Sequence, residues 1–237
     1  MQVIELREDL HVHSTYSDGR ATLEENIERA AILGLERLGC VDHVRRDSDW
    51  VDGWLRTIET LNERAPIPLL PGVEAKILNE QGILDIPIDL PARVRIYAAD
   101  HRLPLENTCL GLGEARRRMN CGELTASRVV RALVDSTMGA LRRHKRLVIA
   151  HLFSMLPKLR LDESMVFDRD IEVLAELAFE QEAWLEIDER WKCPSVRVAR
   201  IFAAAGVPIV ASSDAHRIDA LGRYDYVRHV ANALCAA

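Results

Sequence analysis

The sequence of 237 residues predicts an α/β fold built on a parallel sheet. Short apolar segments rich in β-branched residues alternate with segments of helical periodicity along the whole chain. A repeated order of strand, helix and strand implies parallel pairing through right-handed crossovers. Such a sheet is either open and doubly wound or closed into a barrel, and periodicity does not distinguish the two. The sequence shows no repeat, low-complexity tract or linker, so we predict one domain over residues 1–237.

The predicted elements alternate in regular order. Seven strands are predicted, at Asp9–His13, Arg37–Val41, Ile67–Glu74, Arg93–Ala99, Arg146–His151, Ala183–Ile187 and Pro208–Ser212. Five helices are predicted between them, at Thr22–Leu35, Trp50–Asn62, Gly122–Met138, Asp170–Gln181 and Ser195–Ala204. The first helix opens with Thr22 and Glu25, whose spacing is that of a capping box.

The composition is that of a globular protein, with 48% hydrophobic and 29% charged residues. The net charge of −6 argues against nucleic-acid binding driven by overall basicity. The five cysteines form no C-x-x-C pair, a pattern typical of free thiols in a reducing compartment. No signal-peptide core is found at the N-terminus, and no apolar run reaches the roughly 18 residues of a membrane helix. We therefore predict a cytoplasmic protein without a membrane partner; its oligomeric state is not indicated.

Residues 114–146 form a basic segment within this acidic chain. The segment holds nine lysines and arginines against three acidic residues. We interpret it as a solvated helix face, and an anion-binding surface is the alternative.

Residues able to bind metals concentrate at one end of the predicted strands. His11 and His13 are two apart at the end of the first strand, so both imidazoles point to the same side. Asp214 and His216 repeat this spacing after the last strand. In α/β folds, sites are built at the C-terminal ends of the strands. The residues at these ends are His11, His13, Asp18, His43, Glu74, His101, His151, Asp214 and His216.

Each of these nine residues alone is a weak signal, but together they predict a metal centre. Imidazole and carboxylate ligands suit Zn, Mn or Fe. Nine ligands exceed the needs of one ion, so we predict two or three divalent ions, with Glu74 and Asp214 as candidate bridging ligands. Paired ions lower the pKa of a bridging water and bind phosphoryl oxygens, so no nucleophilic side chain is required.

Arginines follow several of these residues and favour an anionic substrate. Arg45 and Arg46 follow His43, and further arginines near the strand ends are Arg102, Arg190 and Arg217. Asp42 and Asp100, each just before a histidine, are loop residues or partners that orient the imidazoles. His144 and His229 are assigned structural or surface roles.

The ordered motifs resemble the polymerase and histidinol phosphatase (PHP) superfamily. The matching motifs are His11-Val12-His13-Ser14-Thr15-Tyr16-Ser17-Asp18-Gly19, Val41-Asp42-His43, Gly72-Val73-Glu74, Ala99-Asp100-His101, Ala150-His151 and Ser213-Asp214-Ala215-His216. This resemblance covers nearly the whole chain and implies a distorted (β/α)7 TIM-like barrel with three metal ions. It also implies one set of ligands for each ion: His11, His13, Glu74 and Asp214; Glu74, His101 and His151; and Asp18, His43 and His216.

The resemblance implies a metal-dependent phosphoesterase. We expect hydrolysis of a phosphate ester of a small anionic metabolite, histidinol phosphate being one candidate, through in-line attack by a metal-bridging hydroxide. The residues expected to act in the reaction are Glu74, His101, Asp214, Arg102 and Arg217, with the two arginines holding phosphoryl charge. The stretches Asp100-His101-Arg102 and Glu186-Ile187-Asp188 depart from the residues common in the family, which leaves the substrate open.

Three alternatives remain open from the sequence. A nucleotide phosphodiesterase or exonuclease could use the basic segment, but four each of Phe, Trp and Tyr leave little material for stacking bases. An amidohydrolase uses similar metal chemistry on C–N bonds. A non-catalytic metal-binding domain is the third, and the complete ligand set counts against it.

Overall fold

The computed structural model describes residues 4–236 and shows one parallel sheet of seven strands. Nine strands are numbered here in chain order: β1 Glu8–Val12, β2 Arg37–Val44, β3 Leu69–Lys76, β4 Arg95–Ala99, β5 Leu103–Leu105, β6 Thr108–Leu110, β7 Val148–Ile149, β8 Trp184–Asp188 and β9 Ile209–Ser212. The sheet has the order β1-β2-β3-β4-β7-β8-β9, and β5 and β6 form a separate antiparallel hairpin.

The two outer strands of the sheet meet and nearly close it into a barrel. Val12 forms a parallel bridge with Ala215, and the His13 amide donates to the Ala215 carbonyl at 2.9 Å. The predicted seven-stranded α/β barrel is therefore confirmed, and the open doubly wound sheet is excluded.

Helices follow the strands as the alternation predicts. They are α1 Leu23–Ile32, α2 Val51–Asn62, α3 Leu112–Asn120, α4 Ala126–Arg143, α5 Met155–Lys158, α6 Asp168–Glu180, α7 Val196–Ala204 and α8 Tyr226–Cys235. The capping box at the start of α1 is confirmed, because the Thr22 side chain accepts from the Glu25 amide and the Glu25 side chain accepts from the Thr22 amide. No helix within residues 4–236 has the length and apolar character needed to cross a membrane.

The barrel interior holds a small apolar core below the polar strand ends. Its members are Leu10, Val41, Tyr97, Ala99, Val148, Ala150 and Val210. The Tyr97 ring lies over Gly72, where an added Cβ would come within 2.7 Å of the ring, and the Tyr97 hydroxyl donates to the Leu10 carbonyl. Glycine at position 72 therefore makes room for the one large side chain that fills the barrel.

The region after β4 differs from the prediction. The hairpin of β5 and β6 and the helix α3 were not predicted, and α4 begins at Ala126 with Thr125 as its cap rather than at Gly122. Only Ala115 is buried on α3, so this helix has almost no apolar stripe for a periodicity argument to detect.

Two strand ends also differ from the prediction. Strand β7 covers only Val148–Ile149, so His151 lies in the turn that follows it. Strand β3 continues past Glu74 to Lys76. Because side chains alternate along a strand, Lys76 points to the same side as Glu74.

Most cations of the basic segment have partners in the structure. Arg117 and Arg118 both bind the Glu114 carboxylate, at 2.8 and 2.7 Å. Arg128 pairs with Glu80, and Arg131 pairs with Asp135 and Asp170. Arg116 and Arg143 donate to backbone carbonyls. This network favours the solvated helix face over an anion-binding surface.

Candidate metal centre

The nine predicted ligands lie together at the C-terminal edge of the barrel. His11, His43 and Glu74 lie on strands β1, β2 and β3. The other six lie in the segments that follow the strands: His13, Asp18, His101, His151, Asp214 and His216. The parallel sheet is what brings positions more than 200 residues apart in sequence into one cluster.

Glu74 lies at the centre of the cluster and is 1% exposed. Its Oε1 lies 2.8 Å from Nε2 of both His101 and His151. Its Oε2 lies 2.8 Å from Nδ1 of His43 and 3.5 Å from Nε2 of His11. His13 Nε2 lies 3.4 Å from the same Oε2. One carboxylate is thus surrounded by five imidazoles, an arrangement suited to a bridging ligand.

His13 forms the second focus of the cluster. Its Nε2 lies 3.2 Å from Oδ1 of Asp214 and 3.1 Å from Nε2 of His11. Asp18 approaches from the loop after β1, with Oδ1 3.2 Å from Nε2 of His216. Gly19 permits this loop to fold back, because an added Cβ would lie 2.5 Å from the His13 carbonyl carbon.

Three groups offer ligand atoms that lie within 4.8 Å of one another. They are His13, Asp18, His43 and His216; His11, His13 and Asp214; and His43, Glu74 and His101. These groups differ from the sets implied by the resemblance in four memberships, one of which is that Glu74 is absent from the group of His11, His13 and Asp214. His13 is shared between two groups, and His43 joins Glu74 and His101, whereas His151 contacts Glu74 from outside these groups.

Buried atoms without partners show that the cluster fits divalent cations. Glu74 Oε2 and Asp214 Oδ1 are buried and accept no hydrogen bond from any residue in 4–236. His11 Nδ1 donates to Glu186 Oε2 at 3.0 Å, which leaves the lone pair of His11 Nε2 directed at His13 Nε2. Oxygen anions and nitrogen lone pairs that converge in this way need a cation between them.

The electrostatics of the cluster keep its two central carboxylates ionised. Burial alone would raise the pKa of Glu74, but His101 and His11 hold it well below the usual range for a carboxyl group. Burial likewise opposes ionisation of Asp214, yet the neighbouring His13 and His11 imidazoles keep its pKa low. Burial lowers the pKa of His13 to about 4, so its imidazole is neutral at pH 7. Neighbouring carboxylates, Glu74 among them, raise the pKa of His11, His43 and His151 against the effect of burial, so a bound cation would displace protons from these imidazoles.

Three buried acidic side chains hold the predicted ligands, or the loop that carries them, in place. Glu186 on β8 is fully buried and fixes His11. Asp100 lies 3.4 Å from His151 Nδ1 and accepts from the Ser154 hydroxyl at 2.7 Å. Asp42 contacts no imidazole; it accepts from the Ser14 and Ser17 side chains and so holds the loop after β1.

The cluster opens into a cavity of about 360 Å³. Four cationic side chains line the cavity together with six of the nine predicted ligands and Trp191: Arg45, Lys76, Arg102 and Arg190. Arg190 Nη1 lies 3.2 Å from Asp214 Oδ2 and 2.6 Å from His216 Nδ1. The Trp191 indole also donates to Asp214 Oδ2, at 3.0 Å.

Arg217 does not line this cavity. Its guanidinium donates to Asp219 at 3.0 Å and lines a neighbouring cavity of about 460 Å³ that shares Arg190, Asp214 and His216 with the first. The side chain after His216 therefore turns away from the other metal ligands, whereas Arg190 reaches them. His144, at the end of α4, and His229, on α8, both lie outside the three ligand groups.

Sequence reasoning missed Glu186, Lys76 and Trp191. Glu186 shares a strand face with Trp184 and Asp188, so the two-residue period on β8 was an available signal. Lys76 would have been found had β3 been extended by two residues. Trp191 lies in a loop, where no periodicity indicates direction.

Comparison with known proteins identifies the family. The family model described as "PHP domain" matches residues 9–155, which include seven of the nine predicted ligands, all but Asp214 and His216. A segment of 67 residues is 43% identical to the phosphoribosyl 1,2-cyclic phosphate 1,2-diphosphodiesterase of Eggerthella lenta. That segment is 28% of this chain and spans only 23% of the relative's length.

Two solved structures share the fold. One is a histidinol phosphate phosphatase from Lactococcus lactis, determined with Zn, L-histidinol and phosphate, with a TM-score of 0.67 and 16% identity over 97% of this chain and 92% of that one. The other is a protein from Listeria monocytogenes described as a histidinol phosphatase, with a TM-score of 0.68 and 12% identity over 94% of this chain and 99% of that one. With the family model covering more than half of the chain, the protein belongs to the PHP domain family of metal-dependent phosphoesterases.

Proposed function

We propose that this protein hydrolyses phosphate monoesters of a small anionic metabolite. The observation that carries the proposal is the convergence of three ligand groups and four cationic side chains on one cavity. A cavity of about 360 Å³ suits a small ligand rather than a polymer. One domain, residues 1–237, would carry the whole activity, and the predicted cytoplasmic location stays a prediction.

Two or three divalent ions would be held by the nine ligands. The Lactococcus lactis structure contains Zn, and Mn and Fe suit the same donor set. Glu74 lies between imidazoles from β2, β4 and β7, and Asp214 lies beside His13, so these two carboxylates are our candidates for bridging ligands. The ions would supply two things: activation of water near neutral pH and neutralisation of phosphoryl charge.

The side chains of this chain would orient the ester. Arg190 and Arg102 line the cavity on either side of the ligands and would hold the phosphoryl oxygens. Arg190 replaces Arg217 in this role, because Arg217 is engaged by Asp219. Trp191, fixed through its indole by Asp214 and covered by Lys158 at 3.6 Å, would form an apolar wall beside the scissile bond.

Histidinol phosphate is one candidate ester, because both structural neighbours are described as histidinol phosphatases. A second candidate activity is hydrolysis of a small cyclic phosphodiester. The relative from Eggerthella lenta carries the name of such an enzyme. Oligonucleotides are less favoured, because most cations of the basic segment are paired within the protein.

The test is phosphate release from phosphomonoesters by protein loaded with Zn²⁺ or Mn²⁺, with a chelated sample as control. Small cyclic and nucleotide diesters are assayed with an added monoesterase, so that diester cleavage also registers. We expect turnover of monoesters that the chelator abolishes. Turnover of diesters alone would favour the second candidate, and no turnover by protein of verified metal content would contradict both.

A further inference from the structure

Three cations come at or just after the ends of three neighbouring strands and line the cavity. In the pairing of β2 with β3, His43 lies opposite Glu74 and Val44 lies opposite Ala75; Arg45 is the next residue after β2 and Lys76 is the last residue of β3. Arg102 follows His101 in the segment after β4, the next strand. The row Arg45, Lys76 and Arg102 thus lies one or two residues beyond His43, Glu74 and His101 in sequence and lines the same cavity.

The charge of this row is largely uncompensated. Lys76 has one acidic neighbour, Asp85, whose Oδ2 lies 3.4 Å from Nζ. The guanidinium groups of Arg45 and Arg102 have no hydrogen-bonding or ion-pair partner within residues 4–236, although both line the cavity. Two of the three cations are thus unpaired among residues 4–236, and an incoming anion would find donors in this concave site that are not already engaged.

The remaining cation of the cavity lies on a different wall. Arg190 follows β8, which is separated from β4 by β7 in one direction and from β2 by β9 and β1 in the other. Arg190 lies next to Asp214 and His216 and is already placed to hold the reacting phosphoryl group. If Arg190 and Arg102 hold the reacting phosphoryl group between them, no anion remains to pair with Arg45 and Lys76.

We propose that the substrate carries a second anionic group, a phosphate or a carboxylate, that binds Arg45 and Lys76. This inference rests on the proposed function. The ester phosphate lies over the metal ligands with Arg190 and Arg102, and the second anion lies above His43 and Glu74. Arg45 and Lys76 are thus specificity-determining residues: they select dianionic small molecules over esters of neutral alcohols.

The test compares alkyl phosphates that differ only at their far end, a methyl, a hydroxyl, a carboxylate or a second phosphate, with chains of three to six carbons. With metal-loaded protein, we expect kcat/KM about tenfold or more higher for the anionic ends, mainly through KM. Arg45→Ala and Lys76→Ala each lower kcat/KM about tenfold more for the anionic ends than for the methyl and hydroxyl esters. Arg46→Ala is the matched control, since Arg46 is an exposed neighbour that does not line the cavity; it should change nothing.

A binding measurement separates this inference from the proposed function. Calorimetry with alkane bisphosphonates and alkane monophosphonates, which are not hydrolysed, should give about tenfold tighter binding of the bisphosphonate, lost in Arg45→Ala but not in Arg46→Ala. Equal binding of the two classes by the parent protein, or a preference kept by both Arg45→Ala and Lys76→Ala, overturns the inference. Absence of turnover with the binding preference intact would contradict the proposed hydrolysis and leave the second anion site supported.

Discussion

The C-terminal edge of the barrel and the basic segment 114–146 are both rich in charge, yet only the edge forms a site. In the segment, charges are close in sequence and satisfy one another, as Glu114 does with Arg117 and Arg118. At the edge, buried Glu74 and Asp214 keep oxygens without hydrogen-bond partners among residues 4–236. The difference teaches that unsatisfied and convergent charge, rather than charge density, indicates a binding site.

The secondary structure of the two regions, a helix in one and a parallel sheet in the other, explains this difference. A helix brings residues three and four apart together, so alternating signs neutralise locally. A parallel sheet brings together the ends of strands that are distant in sequence, and here each end contributes the same kinds of side chain. The resulting excess of ligand atoms can be satisfied only by something bound from outside.

The largest expected effect comes from removing the central carboxylate. Glu74→Gln keeps the size of the side chain but removes the negative charge that His101, His151 and His43 share. We expect loss of at least one bound ion and a fall in kcat/KM on the order of a thousandfold. Metal analysis of the purified variant, together with phosphate release, checks this. Full activity with unchanged metal content would show that the edge is not the site.

Removal of the metals should lower the stability of the barrel. Ions that bind only the folded state add free energy of unfolding, about 2.7 kcal/mol at a concentration 100 times the dissociation constant. For a chain of this size we expect the chelated protein to melt roughly 5–10 °C lower. Calorimetric scans with and without chelator check this, and Glu74→Gln should show a smaller difference. Identical melting curves would argue that no ion holds the strand ends together.

Loss of the support behind His11 should weaken metal binding without abolishing it. Glu186→Ala leaves His11 Nδ1 without its acceptor, so the imidazole is no longer held in one tautomer. We expect metal affinity to fall by about 10- to 100-fold, with activity restored at high metal concentration. Competition with a chelator of known affinity measures this, and the exposed Glu180→Ala serves as control. An unchanged metal affinity would show that Glu186 does not support the metal centre.

Changes in the basic segment should have the smallest effect. The pairs of Arg117 and Arg118 with Glu114 are solvent-exposed, and exposed pairs contribute little to stability. The double variant Arg117→Ala/Arg118→Ala should keep kcat/KM within twofold on small phosphate esters. Fluorescence anisotropy with a labelled oligonucleotide should show no specific binding for either protein. A large loss of activity, or binding that disappears in the variant, would give the segment a role in the reaction.

The alternation of elements predicted the parallel sheet, whereas the resemblance to the PHP superfamily, and not periodicity, implied the barrel. The nine predicted ligands lie together at one edge of that barrel. Strand ends could be located from β-branched runs, and the spacing of His11 with His13 fixes their common side. What could not be predicted is the sharing of ligands, for example the position of His43 between Asp18 and Glu74, because it depends on how neighbouring strands stagger. The orientation of the Arg217 side chain likewise depends on a local contact with Asp219 that no sequence pattern predicts.

The contact between the first and last strands of the sheet has a consequence for biosynthesis. Asp214, which lies 3.2 Å from His13 in the folded protein, is synthesised some 200 residues after it. Until then a nascent chain exposes an incomplete set of predicted ligands. The finished centre can assemble only after β9 has docked against β1, so metal loading should be one of the last steps in the maturation of this protein.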